Sequence, residues 1–184
     1  PGGFDRQIEI MLADKNARRD IIKLYLDKKN AEDVNIDEIS DLTIYFSGAM
    51  IENLINEAAL SAVRENSDKI TEEHIKKAYL EIMAGVEKKG YDNEKQKTIT
   101  SYHEAGHAFV SRYLLPENKI IRVSVIPTSK GAGGYTLSTP DSEEIMTKKR
   151  IKNHLSVLMA GRAAEEVFFG NENITAGAQN DIEK

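Results

Sequence analysis

Apolar residues recur at helical spacing through most of the first half of the chain. In "SGAMIENLINEAALSAVREN" the residues Ile51, Leu54, Ile55, Ala58 and Ala62 fall at i, i+3, i+4, i+7 and i+11. That is one face of a long helix, and Ser47 is placed to cap its N-terminus. "NARRDIIKLYLDKK" (16–29) predicts an earlier helix with Ile21, Ile22, Leu24 and Tyr25 on its apolar side, and "NIDEISDLT" predicts a short one. "TEEHIKKAYLEIMAG" (71–85) predicts another, with Thr71 as N-cap, acids in the first turn and Gly85 near the end. Residues 13–85 therefore read as a small helical bundle, preceded by "FDRQIEIML", which alternates as a short strand does.

The pattern changes after residue 85. "VEKKGYDNEKQK" (86–97) is charged and contains a glycine, which predicts a linker. A second unit starts near Thr98 with a helix that ends before Pro116. "KIIRVSVIP" and "GGYTLSTP" predict two strands, and "SEEIMTKKRIKNHLSVLMAGRAAEEVFFG" is helical over most of its length. "ITAGAQNDIEK" predicts a glycine-containing loop that leads into a helix. The fold class expected is mainly α with a small β component.

Composition narrows the chemistry. The 184 residues are 40% hydrophobic and 30% charged, as in ordinary globular proteins. A net charge of −5 argues against nucleic acid as a partner. The chain has no cysteine, which removes disulfides and thiolate metal sites. No apolar run approaches the ~18 residues of a membrane span. A start at Pro1 and an end at "NDIEK", without a helix stop, are expected of a piece of a longer protein.

The chemistry concentrates in "SYHEAGHAFV". His103 and His107 lie four apart, so a helix presents both imidazoles on one face to one metal ion. Glu104 is offset enough to miss the metal and reach a bound water. This is the HExxH arrangement of two zinc ligands and a general base. Ala105 and Gly106 are small and admit close packing around the site. A third ligand is needed. His74 and His154 sit in charged or mixed helices and read as structural or surface residues. The carboxylates Glu165, Glu166 and Asp181 remain, and spacing does not choose among them. Arg162 with Glu165 and Glu166 also makes i,i+3 and i,i+4 pairs that support a helix, while Glu165 could instead orient a zinc histidine. Gly131, Gly133 and Gly134 predict either a turn or a flexible edge strand that pairs with an extended substrate.

Taken together, "SYHEAGHAFV", "GRAAEEVFFG" and "TAGAQNDI" resemble the FtsH family of membrane-anchored AAA+ zinc proteases. "PGGFDRQIEI" resembles the end of an AAA+ ATPase core, and "FSGAMIENLINEAALSAVREN" resembles the AAA+ helical lid. The resemblance implies an ATPase-core end at 1–12, a lid at 13–85, a linker at 86–97 and the first part of a zincin-like, mostly helical peptidase domain at 98–184. It implies that His103, His107 and Asp181 bind zinc, that Glu104 is catalytic, and that Arg6 reaches a neighbouring subunit's ATP site. Gly48 and Ala49 would lie near the adenine. Gly3 departs from the family, which usually has arginine there, and no GxxxxGK[ST] occurs in the chain.

The function implied is ATP-dependent proteolysis of unfolded, membrane and soluble proteins by a homo-hexamer, with zinc and ATP/Mg2+ as cofactors. The parent would be anchored in a bacterial plasma membrane, or a mitochondrial or chloroplast one, with these domains on its soluble side. Two rival readings are a non-proteolytic AAA+ remodelling or scaffold protein and a stand-alone zinc peptidase. The intact His103, Glu104, His107 and Asp181 set weighs against the first, and the lid-like half against the second.

Overall fold

The computed structural model describes residues 12–88, 93–141 and 145–178. Arg6 and Asp181, and the strand expected in "FDRQIEIML" through Met11, lie outside the described residues. The fold is mainly α: six helices and one two-stranded sheet among the described residues. The chain divides into two compact units, Pro1–Tyr79 and Leu80–Lys184.

The first unit is built from α1 (Lys15–Leu26), α2 (Ile36–Leu42), α3 (Gly48–Arg64) and most of α4 (Glu72–Ala84). Asp14 caps α1 by accepting from the Ala17 amide at 2.8 Å, and Ser47 caps α3 by accepting from Met50 at 3.2 Å. At α4 the expected Thr71 cap takes another form. The His74 ring reaches back, and its Nδ1 accepts from the Thr71 amide at 3.0 Å. His74 Nε2 faces Glu65 at 3.3 Å, so this buried histidine is spent within the bundle.

Every residue of the predicted α3 stripe is buried, and Ile51, Leu54, Ile55 and Ala58 are wholly inaccessible. Ile22, Ile39 and Ile75 complete the core, with Phe46 stacked on Tyr79 at 5.9 Å. The buried Arg18 guanidinium donates to the Ser40 carbonyl at 3.1–3.2 Å and to Ala13 at 2.9 Å. It closes the bundle by satisfying carbonyls rather than by pairing with an acid.

The second unit rests on two long helices, α5 (Glu94–Leu114) and α6 (Lys148–Phe169). Asn93 caps α5, so the helix begins four residues ahead of the expected Thr98. Strand β1 (Ile120–Ser124) pairs antiparallel with β2 (Tyr135–Ser138), Val123 opposite Thr136 and Ser124 opposite Tyr135. Gly131, at φ +88°, makes the turn between them. Residues 86–88, expected within a linker, are bonded to residues 127–129: Lys88 N donates to Pro127 O at 2.8 Å and Ser129 N to Val86 O at 2.8 Å. Glu87 then reaches across the sheet to Ser124 Oγ (2.8 Å), Tyr135 Oη (3.0 Å) and Arg122 (3.3 Å). At the other end, buried Arg150 grips Asp141 through two bonds of 2.6 and 2.7 Å and also meets Glu117. His154 Nε2 contacts the same Asp141 at 2.6 Å, so this histidine too has a structural partner.

Two tests follow from this packing. Ile55→Ala should destabilise the first unit by about 2–5 kcal/mol, whereas Leu60→Ala, on the exposed side of the same helix, should cost well under that. Denaturant unfolding of the two variants checks the difference. Burial pushes the Glu87 carboxyl up, but bonds from Ser124 and Tyr135 and the Arg122 charge outweigh it and hold the carboxyl below its usual range. A lowered folded pKa gives stability that is present above the unfolded value and is lost as pH falls through the folded one. Glu87→Gln should therefore cost about 1 kcal/mol near neutral pH, and its unfolding curve should converge on the wild type in acid.

Candidate metal centre

Helices α5 and α6 run antiparallel and meet through small residues. A Cβ on Gly106 would lie 2.6 Å from the Ala160 carbonyl oxygen and 2.7 Å from Ala164 Cβ. The backbones are therefore as close as their atoms allow, and the α5 histidines reach α6 directly. His103 Nδ1 lies 2.7 Å from Glu165 Oε1, and His107 Nδ1 lies 2.7 Å from the Val157 carbonyl. A carboxylate and a carbonyl accept, so each Nδ1 carries the ring proton. Each ring then turns its Nε2 inward, and the two Nε2 atoms are 3.1 Å apart. Two lone pairs at that distance repel unless a proton or a cation lies between them.

The pair fits a tetrahedral zinc ion, whose nitrogen ligands at 2.0–2.1 Å lie about 3.3 Å from each other. Both the donor type and the fixed tautomer suit a borderline-soft divalent ion. Among the described residues no group of three His, Asp or Glu side chains is placed to share a metal. Glu165 does not join the Nε2 pair. Its Oε1 takes His103 Nδ1 and the Thr175 hydroxyl (3.1 Å), and its Oε2 takes the Thr175 amide (2.7 Å). Its side chain is 1% exposed. It orients a histidine, which is one of the three roles the sequence offered it. Glu166 is exposed on the other side of the helix.

Glu104 is buried on the next position of α5 and borders an open cavity of about 420 Å³. The Thr136 hydroxyl of β2 lies 2.8 Å from Glu104 Oε2 and 3.0 Å from the Glu104 carbonyl. His103, Glu104, Gly133, Gly134, Glu165 and Thr175 are among the cavity's lining residues. Gly134 is a close approach: a Cβ there would lie 2.7 Å from Ser124 O and 3.1 Å from Glu104 Cγ. The glycines thus serve as turn and as cavity wall. The cavity places a carboxylate beside a paired-imidazole site in a space large enough for a chain segment, a layout suited to hydrolysis assisted by a metal.

Sequence reasoning missed Thr136, Val157 and Gly161. Thr136 and the Val157 carbonyl carry no local signal. Gly161 does, because a glycine in a helix interior costs about 1 kcal/mol and calls for a packing reason. Gly48 and Ala49 form the first turn of α3, behind the Ser47 cap.

Comparison with known proteins agrees with this geometry. Residues 33–77 match the AAA+ lid domain, and residues 91–184 match peptidase family M41. The chain is 48% identical to the ATP-dependent zinc metalloprotease FtsH of Lachnoclostridium phytofermentans, 42% to that of Helicobacter pylori strain J99 and 42% to that of Thermotoga maritima. Each likeness covers 100% of this chain and 32%, 29% and 30% of those proteins, so the chain spans about a third of their length. With its paired imidazoles on α5 and a match that covers more than half of its residues, the chain belongs to peptidase family M41.

Proposed function

We propose that this chain is the lid and the first part of the peptidase domain of an ATP-dependent zinc metalloendopeptidase. The observation that carries the reading is the Nε2 pair of His103 and His107, with Glu104 beside it on the cavity wall. In this reading residues 1–12 end the ATPase core, 13–85 form the lid, 86–97 the connection and 98–184 the peptidase portion. Arg6 acts on a neighbouring subunit's ATP, Gly48 and Ala49 border the adenine, and ATP/Mg2+ belongs to the full-length parent. That parent works as a homo-hexamer anchored in a bacterial or organellar membrane and degrades unfolded and membrane proteins. Among the described residues no helix is long and apolar enough to cross a membrane.

His103, His107 and Asp181 would hold the zinc. Bound there, zinc would supply Lewis-acid chemistry, lowering the pKa of a water toward ~7. The chain's own residues do the rest. Glu165 and the Val157 carbonyl keep the ring protons on Nδ1, so both Nε2 atoms stay available as ligands. Glu104 accepts the proton of the attacking water and returns it to the leaving amine. The Thr136 hydroxyl holds the Glu104 carboxylate against β2.

In the full-length protein, Glu104→Gln should lower casein cleavage about 10²–10⁴-fold and leave zinc bound. Cleavage near the wild-type rate, or loss of zinc from a folded variant, would reject the assignment. The third ligand is tested by two substitutions side by side. Asp181→Asn should weaken zinc binding sharply, while Glu165→Gln, which removes an orienting partner, should leave most of it. A zinc titration of the two folded variants that gives the reverse order would move the ligand to Glu165.

A further inference from the structure

Three positions on α6 answer the two histidines of α5. Val157, Gly161 and Glu165 are spaced four apart and so lie along one stripe of the helix. The outer two hold the Nδ1 atoms. The middle one presents no side chain. A Cβ built on Gly161 would sit 2.4 Å from His103 Nε2, 2.5 Å from His103 Cε1 and 2.5 Å from His107 Nε2. Real Cβ atoms essentially never come that close, and the atoms met are the two nitrogens that converge. Gly161 is buried and interior to a 22-residue helix, where glycine is the costlier choice over alanine.

We infer that Gly161 is a positioning residue of the metal centre: its missing side chain keeps open the slot in which the two Nε2 atoms meet. The inference rests on the metal-binding reading above. It separates Gly161 from Gly106, whose absent Cβ clears the Ala160 backbone and Ala164 rather than any imidazole. Both glycines permit the helices to approach, but only Gly161 borders the ligand atoms. An added methyl at 161 must push the rings off α6, and at least one Nδ1 anchor is then lost.

The test uses the full-length protein with zinc alone as the probe, titrated against a fluorescent chelator, and with Co2+ as a spectroscopic substitute. Gly161→Ala should weaken zinc binding about 10–100-fold, the range for lost orienting contacts, and change the Co2+ ligand-field bands. Gly106→Ala should lower thermal stability with a smaller change in those bands. Zinc affinity and bands unchanged in Gly161→Ala would overturn the inference while leaving the metal site standing. A wild type that takes up no zinc would instead sink the metal-binding reading. Should Gly161→Ala fold poorly, the pair with His103→Ala, whose ring supplies two of the three close atoms, decides in the metal-free protein. Removing that ring relieves most of the collision, so the double variant should recover stability relative to the sum of the singles. Additive losses would show that the methyl collides with something other than the imidazole.

Discussion

The second unit depends on how closely α5 and α6 approach. Where Gly106 faces Ala160, no side chain separates the helix backbones. A main-chain carbonyl inside one helix can then bond to a side chain of the other. A helical carbonyl keeps a second lone pair beyond its i+4 bond, and at Val157 that lone pair takes His107 Nδ1. With larger residues at the crossing the rings would meet side chains instead, and their tautomers would be left to solvent. Small residues here thus govern which atoms of α6 the two rings meet, through distance.

Burying Glu165 would be costly for an isolated carboxylate. Here the cost is offset by charge-assisted bonds from His103 Nδ1, the Thr175 amide and the Thr175 hydroxyl. The same carboxylate ties the segment after α6 to α5, because Thr175 lies ten residues beyond Glu165 and returns to it. At the opposite end Arg150 does similar work. It bonds Asp141 and Glu117 from the first turn of α6, and Asn153 donates to the Leu114 carbonyl at the end of α5 at 2.9 Å. Polar ties at both ends thus fix the register of two helices whose middle is held by packing.

The elements were largely legible because their signals are local. Local pattern placed the six helices and two strands seen among the described residues, and the four-residue spacing of His103 and His107 was enough to put both rings on one helix face. What was not legible depends on distant partners. His103 finds Glu165 across 62 residues, Glu104 finds Thr136 across 32, and Glu87 finds Tyr135 across 48. Residues 86–88 read as part of a linker because nothing in their sequence announces the loop at 127–129 that bonds to them. Thr71 looked like an N-cap, and the histidine that caps it in turn was hidden by its own second use, a contact with Glu65. The Gly161 signal was present but ambiguous, since a helical glycine reports only that something comes close, not what.

Two acids at this site show why residue type alone could not rank them. Glu104 and Glu165 are both buried, both beside His103, and both border the same cavity. Their surroundings differ in kind. Glu165 receives donors on both oxygens, two of them from Thr175, and these bonds immobilise it as an acceptor. A carboxylate held in that way is suited to fixing an imidazole. Glu104 is tied to β2 through the Thr136 hydroxyl. One helix carries the paired imidazoles, the other the groups that orient them, and the strand a hydroxyl bonded to Glu104. The division of labour between the two carboxylates therefore comes from their donors, which only the folded arrangement of α5, α6 and β2 supplies.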